Sequence, residues 1–119
     1  VKAIVTDANG NPVKDAVVTF TATNGAVITT ESATTDADGI ATTTLKNTKA
    51  GVSAVTAKVN GNSQSVDTTF VADSSTATIS SGNLTVTTDN AKADGTATDA
   101  VKAIVTDANG NPVKDAVVT

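Results

Sequence analysis

Residues Val1–Thr19, VKAIVTDANGNPVKDAVVT, recur without a single change as Val101–Thr119. An identity of that length does not arise by chance, and the offset from Val1 to Val101 sets a repeat period of 100 residues. Solenoid repeats run at roughly 20–50 residues, whereas about 100 residues is the size of one small globular domain. The chain therefore reads as part of a tandem array of domains. It covers one period plus the overlap, so its first residue can fall in the middle of a domain.

Within the period, turn signals are dense and regular: Asn9-Gly10-Asn11-Pro12, Asn24-Gly25, Asp38-Gly39, Ala50-Gly51, Asn60-Gly61, Ser81-Gly82 and Asp94-Gly95. Asn-Gly and Asp-Gly supply the positive φ angles of tight hairpins. Short Val/Thr/Ala runs lie between them, and short strands at roughly 8–12-residue spacing predict an all-β sandwich or barrel. Alternation assigns the faces. Val1, Ala3 and Val5 point inward, as do Ala16, Val18 and Phe20, then Ala41, Thr43 and Leu45, then Val55, Ala57 and Val59, then Val66, Thr68 and Phe70. Leu84 and Val86 mark a further strand with Thr85 and Thr87 outward, while Ile4 and Ile104 break the pattern by pointing out. The Ser/Thr-rich stretch Ala72–Asn83 is the candidate junction between domains, too short to act as a free joint.

Composition narrows the function. The chain has no Cys, His, Met, Trp or Tyr, no Arg, and Glu31 as its one glutamate. Without Cys there is no disulfide framework and no thiolate metal site. Without His, Cys or Tyr there is no base or nucleophile poised near neutral pH, so an enzyme is not expected. The net charge is −4 and the Lys residues are dispersed, which argues against nucleic acid. No apolar run reaches the roughly 18 residues of a membrane span, so no membrane contact is expected from this segment. Interface hot spots favour Trp, Tyr and Arg; their absence suits a hydrated spacer better than a binding tip.

The run DANGNPVKDAVVTF (Asp7 to Phe20), then TDADGIATTTLKNTKAG (Thr35 to Gly51), then VTAKVNG (Val55 to Gly61), resembles the group 1 bacterial immunoglobulin-like domain of the intimin/invasin adhesins, the inverse autotransporters. The likeness covers the whole period. It implies an immunoglobulin-like β-sandwich of antiparallel strands, serving as an extracellular stalk bead on the bacterial surface. A separate domain would anchor the stalk to the outer membrane, and other parts of the protein would meet a host receptor. The resemblance also implies that a domain's first strand corresponds to about Leu84–Thr88. Residues 1–72 are then a domain lacking its first strand, and residues 73–119 are the first half of the next, near-identical one. Two alternatives are a directly adhesive module for a host receptor or carbohydrate, and a decoration domain of a phage or other surface protein.

All strands of one period are present in permuted order, but closing one chain on itself is strained. A stalk domain separates its termini by roughly 35–40 Å, and a junction of about 11 residues reaches at most roughly 36–40 Å. The expected partners are therefore neighbouring identical repeats and, by strand exchange, another copy of the chain.

No cofactor is expected. Asp36 and Asp38 beside Gly39, and Asp73, Asp89, Asp94 and Asp99 around the junction, are weak Ca²⁺ candidates, Asp36, Asp38, Asp73 and Asp94 foremost. Turn-forming aspartates that bond their own backbone account for the same residues. Asp7-Ala8-Asn9-Gly10-Asn11 begins like an EF-hand loop, but Pro12 and Val18 stand where that loop needs Gly and a bidentate Glu. The structural turns are assigned to Asn9, Gly10, Asn11 and Pro12, to Asp38 and Gly39, and to Asn60 and Gly61. Asn83-Leu84-Thr85 fits a glycosylation sequon, which the resemblance to a bacterial family implies is an accident. No Lys, Asn and buried carboxylate single themselves out for an isopeptide crosslink.

Overall fold

Positive-φ turns and the β-branched runs between them set the architecture, and a computed structural model describes all of it, residues 1–119. The strands are β1 (Lys2–Ile4), β2 (Val17–Ala22), β3 (Val27–Ile28), β4 (Ser32–Thr34), β5 (Ile40–Thr42), β6 (Leu45–Lys46), β7 (Gly51–Val59), β8 (Asn62–Phe70), β9 (Leu84–Thr88) and β10 (Ala100–Ala103). A 3-10 turn, Ser74–Thr76, precedes β9. All strand pairs are antiparallel, and no helix is long and apolar enough to cross a membrane. The chain divides into two compact units, Val1–Val71 and Ala72–Thr119.

In the first unit a four-stranded sheet, ordered β4-β2-β7-β8, is joined through the core to the pairs β1-β5 and β3-β6. The β7–β8 hairpin is its longest ladder, from Gly51 opposite Phe70 to Val59 opposite Asn62. Asn60 and Gly61 close it at φ 48° and 77°, the sign that a two-residue turn of matching twist requires. Strand β2 alternates strictly, with Val18 and Phe20 buried and Val17, Thr19 and Thr21 exposed. Val18, Phe20, Ala41 and Val55 form the buried apolar core, against which Ala3, Val5, Ile28 and Leu45 pack. The core is thin, and polar groups share it: Thr35, Thr43 and Ser53 are buried. The Thr43 hydroxyl donates to the Thr30 carbonyl at 2.7 Å. The Ser53 hydroxyl has no partner.

In the second unit β9 pairs with β10, Leu84 opposite Ala103 and Val86 opposite Val101. The segment after Val71 is bonded into this unit. Thr78 and Thr106 exchange backbone hydrogen bonds at 2.8 and 3.0 Å, and the Ala108 N–H donates to the Thr76 hydroxyl at 3.0 Å.

Four residues assigned inward are nevertheless exposed. Val66 lies opposite Val55 on the inner face of its sheet, yet is 54% exposed because no strand covers that side of the sandwich; Val1 is 39% exposed at the same opening. Leu84 and Val86 are 62% and 59% exposed, since the two-stranded β9–β10 sheet has no second layer within its unit. Alternation names a face; it does not say whether anything covers it.

Candidate functional site

The aspartates adopt one recurrent local geometry. Asp7 Oδ1 accepts from the Asn9 and Asn11 N–H groups, both at 2.9 Å, and its Oδ2 accepts from the Asn11 side-chain amide at 3.0 Å. The Gly10 N–H closes the turn onto the Asp7 carbonyl at 3.1 Å. Asp36 repeats this with Asp38 and Ile40, whose N–H groups reach its Oδ1 at 2.9 and 3.0 Å. Gly39 then tucks against β1: a Cβ there would lie 2.5 Å from the Val5 carbonyl oxygen. The two Asp loops are thus bound edge to edge through Val5, whose N–H bonds the Gly39 carbonyl and whose carbonyl takes the Val13 N–H.

These bonds set the electrostatics. Asp7 is held below the usual carboxylate range by the Asn11 N–H, the Asn11 amide and the Asn9 N–H. Asp94 is lowered in the same way by the Ala97 and Thr96 N–H groups. Asp107, the second copy of Asp7, is 5% exposed. The Asp73 N–H, donated to its Oδ2 at 3.0 Å, is the largest cause of a pKa lowered to about 2, with the Asn111 and Asn109 donors adding to it and desolvation opposing.

Of the cation candidates, Asp36 spends its carboxylate on its own loop. Asp73 accepts from the Ser75 N–H and hydroxyl, and Asp94 from Thr96 and Ala97. Asp89 accepts from Asn90 and Asp99 from Ala91. Nowhere in the chain do three or more carboxylates converge.

What the fold does assemble is a groove in the first unit of about 410 Å³, between β1 and β8, lined by Ala3, Val5, Val18, Val55, Val59 and Val66. One wall is a free strand edge. Val1 and Thr43 exchange bonds, and Val5 donates to Gly39. The odd residues of β1 therefore face β5, and the backbone groups of Lys2 and Ile4 point the other way, where no strand lies. Sequence reading missed this groove. Its one trace was Ile4, an apolar residue outside the alternation, here 62% exposed and lining the opening.

The family model for the bacterial Ig-like domain, group 1, matches residues 1–71. The inverse autotransporter adhesin YeeJ of Escherichia coli (strain K12) is 40% identical over 122 aligned positions, covering 98% of this chain and 5% of the adhesin. The crystal structure of invasin, described as a bacterial integrin-binding protein, matches at a TM-score of 0.52 and 33% identity, over 93% of this chain and 22% of invasin. The chain thus spans a small part of either relative's length.

Proposed function

The chain belongs to the group 1 bacterial immunoglobulin-like domain family, and from that membership we propose that it is a spacer repeat in the stalk of a bacterial cell-surface adhesin. In this reading a separate domain anchors the stalk in the outer membrane, and the array projects a distal binding tip away from it. The observation that carries it is the unchanged recurrence of residues 1–19 at 101–119. Identical beads serve length, whereas receptor recognition calls for one specialised surface. The exposed faces support the same reading, since Trp, Tyr and Arg, which dominate hot spots, are absent from the chain.

The mechanism is mechanical. The nine-residue strands β7 and β8 span about 30 Å at 3.3 Å per residue, and each bead adds a length of that order. Shortening the array by whole repeats in the intact adhesin is expected to reduce the reach of the tip, measured by electron microscopy of whole cells, and to leave the affinity of the detached tip for its receptor unchanged. Loss of soluble receptor binding on deleting repeats would refute the spacer role and favour a directly adhesive domain.

A further inference from the structure

The triplet Asn-Gly-Asn occurs at Asn9–Asn11, at Asn60–Asn62 and at Asn109–Asn111. Asn-Gly is the pair most open to one reaction, attack of the glycine amide nitrogen on the asparagine side chain, because glycine has no Cβ to hinder it. With the triplet held constant, the fold alone decides which copy reacts. At Asn9 the attacking nitrogen is occupied. The Gly10 N–H donates to the Asp7 carbonyl at 3.1 Å, and the Asp7 carboxylate holds the Asn9 and Asn11 N–H groups, both at 2.9 Å. Asn109 is held in the same way: the Gly110 N–H donates to the Asp107 carbonyl at 3.1 Å, and the Asp107 carboxylate takes the Asn109 and Asn111 N–H groups. The pair Asn24-Gly25 is braced differently. Asn24 is half-buried, its carbonyl accepts from the Asn47 side-chain amide at 2.8 Å, and its own side-chain nitrogen packs against Gly51. Asn60-Gly61 has none of these restraints. Both residues are exposed, and neither the Gly61 N–H nor the Asn60 side chain bonds any group of the chain.

We propose that Asn60 is a self-modifying site, whose side-chain amide is displaced by the Gly61 backbone nitrogen to leave an acidic residue at the tip of the β7–β8 hairpin. The Gly61 nitrogen gives up its proton to solvent and attacks Cγ of Asn60. A C–N bond forms, the Cγ–Nδ2 bond breaks, and the side-chain nitrogen leaves as ammonia. Water then adds to either carbonyl of the resulting five-membered imide and opens it, to aspartate or to isoaspartate. Water is the sole co-reactant, and nothing is oxidised or reduced.

The two products differ in what they do to the hairpin. Aspartate leaves Asp-Gly, which suits the same positive-φ turn as Asn-Gly. Isoaspartate carries an extra methylene in the main chain, inside a two-residue turn whose ladder closes at Val59 and Asn62, and it loosens that closure. Either product adds one negative charge to a net charge of −4. The contrast between the three triplets is set by bonds inside each turn, and it stands independently of the spacer reading.

Incubating the full chain at mildly alkaline pH, folded and in parallel unfolded in urea, tests it by mass spectrometry after cleavage at lysine. Cleavage releases Asn60 in residues 59–92, Asn24 in residues 15–46, and Asn9 and Asn109 in the one peptide AIVTDANGNPVK that both copies share. In urea the three triplets are expected to convert at the same rate. In the folded chain Asn60 is expected to convert about 2- to 10-fold faster than the shared peptide, the factor that releasing one ordinary hydrogen bond imposes. Asp7→Ala removes the carboxylate that holds the first loop and marks its peptide; it is expected to bring Asn9 toward the Asn60 rate while Asn109 stays slow. Folded chain in which the shared peptide or Asn24 converts as fast as Asn60, or an Asn9 rate untouched by Asp7→Ala, would overturn the proposal.

Discussion

Thr35→Val probes whether buried hydrogen bonds, in the absence of a large apolar core, hold the first unit together. Thr35 is 3% exposed. Its hydroxyl accepts from the Ala16 N–H at 2.8 Å and donates to the Val13 carbonyl at 2.7 Å. Its backbone also bonds Ala16 and Asp15, so this residue ties the chain leading into β2 to the chain leaving β4. Valine keeps the shape and strands one donor and one acceptor. Each of the two unmet buried groups costs about 1–3 kcal/mol, and the added methyl returns about 0.8 kcal/mol, which leaves a net loss of about 1–5 kcal/mol. A unit the size of residues 1–71 has a total stability of only about 4–10 kcal/mol at roughly 0.05–0.15 kcal/mol per residue. The change should lower the melting temperature by roughly 5–40 °C, at about 4–8 °C per kcal/mol. With no Trp or Tyr in the chain, urea unfolding is followed by far-UV circular dichroism, and amide signals of β2 and β7 assign the transition to this unit. The midpoint is expected to fall with an unchanged slope. Thr42→Val, on the exposed side of β5, is the control and should stay within about 0.5 kcal/mol of wild type. If Thr35→Val costs no more than this control, the hydroxyl is not the tie described here.

Gly39→Ala combines φ +75° with a Cβ 2.5 Å from the Val5 carbonyl oxygen, whereas Gly61→Ala combines φ +77° with open space. The second should cost about 1–2 kcal/mol from the backbone alone and the first clearly more, read as separate urea midpoints. Ser53→Ala removes a buried hydroxyl without a partner and is expected to leave stability unchanged or raise it by up to about 1–2 kcal/mol; a loss above about 1 kcal/mol would mean the hydroxyl is satisfied in solution. The Asp107 carboxyl, held at about 2 chiefly by the Asp73 N–H, stabilises the second unit while ionised. Its folded pKa lies below its unfolded one, so that stability is complete above the ordinary carboxylate value of 3.8 and is lost as pH falls through about 2. A carbon-detected titration in which Asp107 titrates no lower than Asp7 would contradict this. Finally, Asp36, Asp73 and Asp94 are committed to their own backbone, so the melting temperature should be the same in chelator and in millimolar Ca²⁺, and a clear rise with Ca²⁺ would refute that.

How much was legible in the sequence depended on how local the cause is. Asn60 and Gly61 specify their turn because the preference for positive φ belongs to the residues themselves. Strand β2 was readable because Val18 and Phe20 alternate with polar neighbours. The burial of Thr35 and Ser53 was not readable, since nothing in a Thr/Ser-rich chain separates a buried hydroxyl from the many exposed ones. The groove escaped for a different reason. Val66 carries the inward pattern correctly, but it is exposed because no strand lies on the other side of β1, and the identity of a residue does not record whether a neighbour covers it.

The repeated segment separates these two kinds of cause, because the same nineteen residues occur in two surroundings. The loop is the same in both. Asp7 and Asp107 each accept from the N–H groups two and four residues on, and Gly10 and Gly110 take φ 82° and 83°. The loop is therefore written in the segment itself. The edges differ, with β5 on the odd side in one copy and residues 78–85 on the even side in the other. A strand whose two edges can each hold a ladder, and whose inner side carries Val1, Ala3 and Val5, is suited to the middle of a sheet. Each copy here has only one of its two neighbours. The exposed Leu84 and Val86 on one copy's strand partner, and the uncovered Val66 beside the other copy, lie where a strand of this kind is otherwise covered.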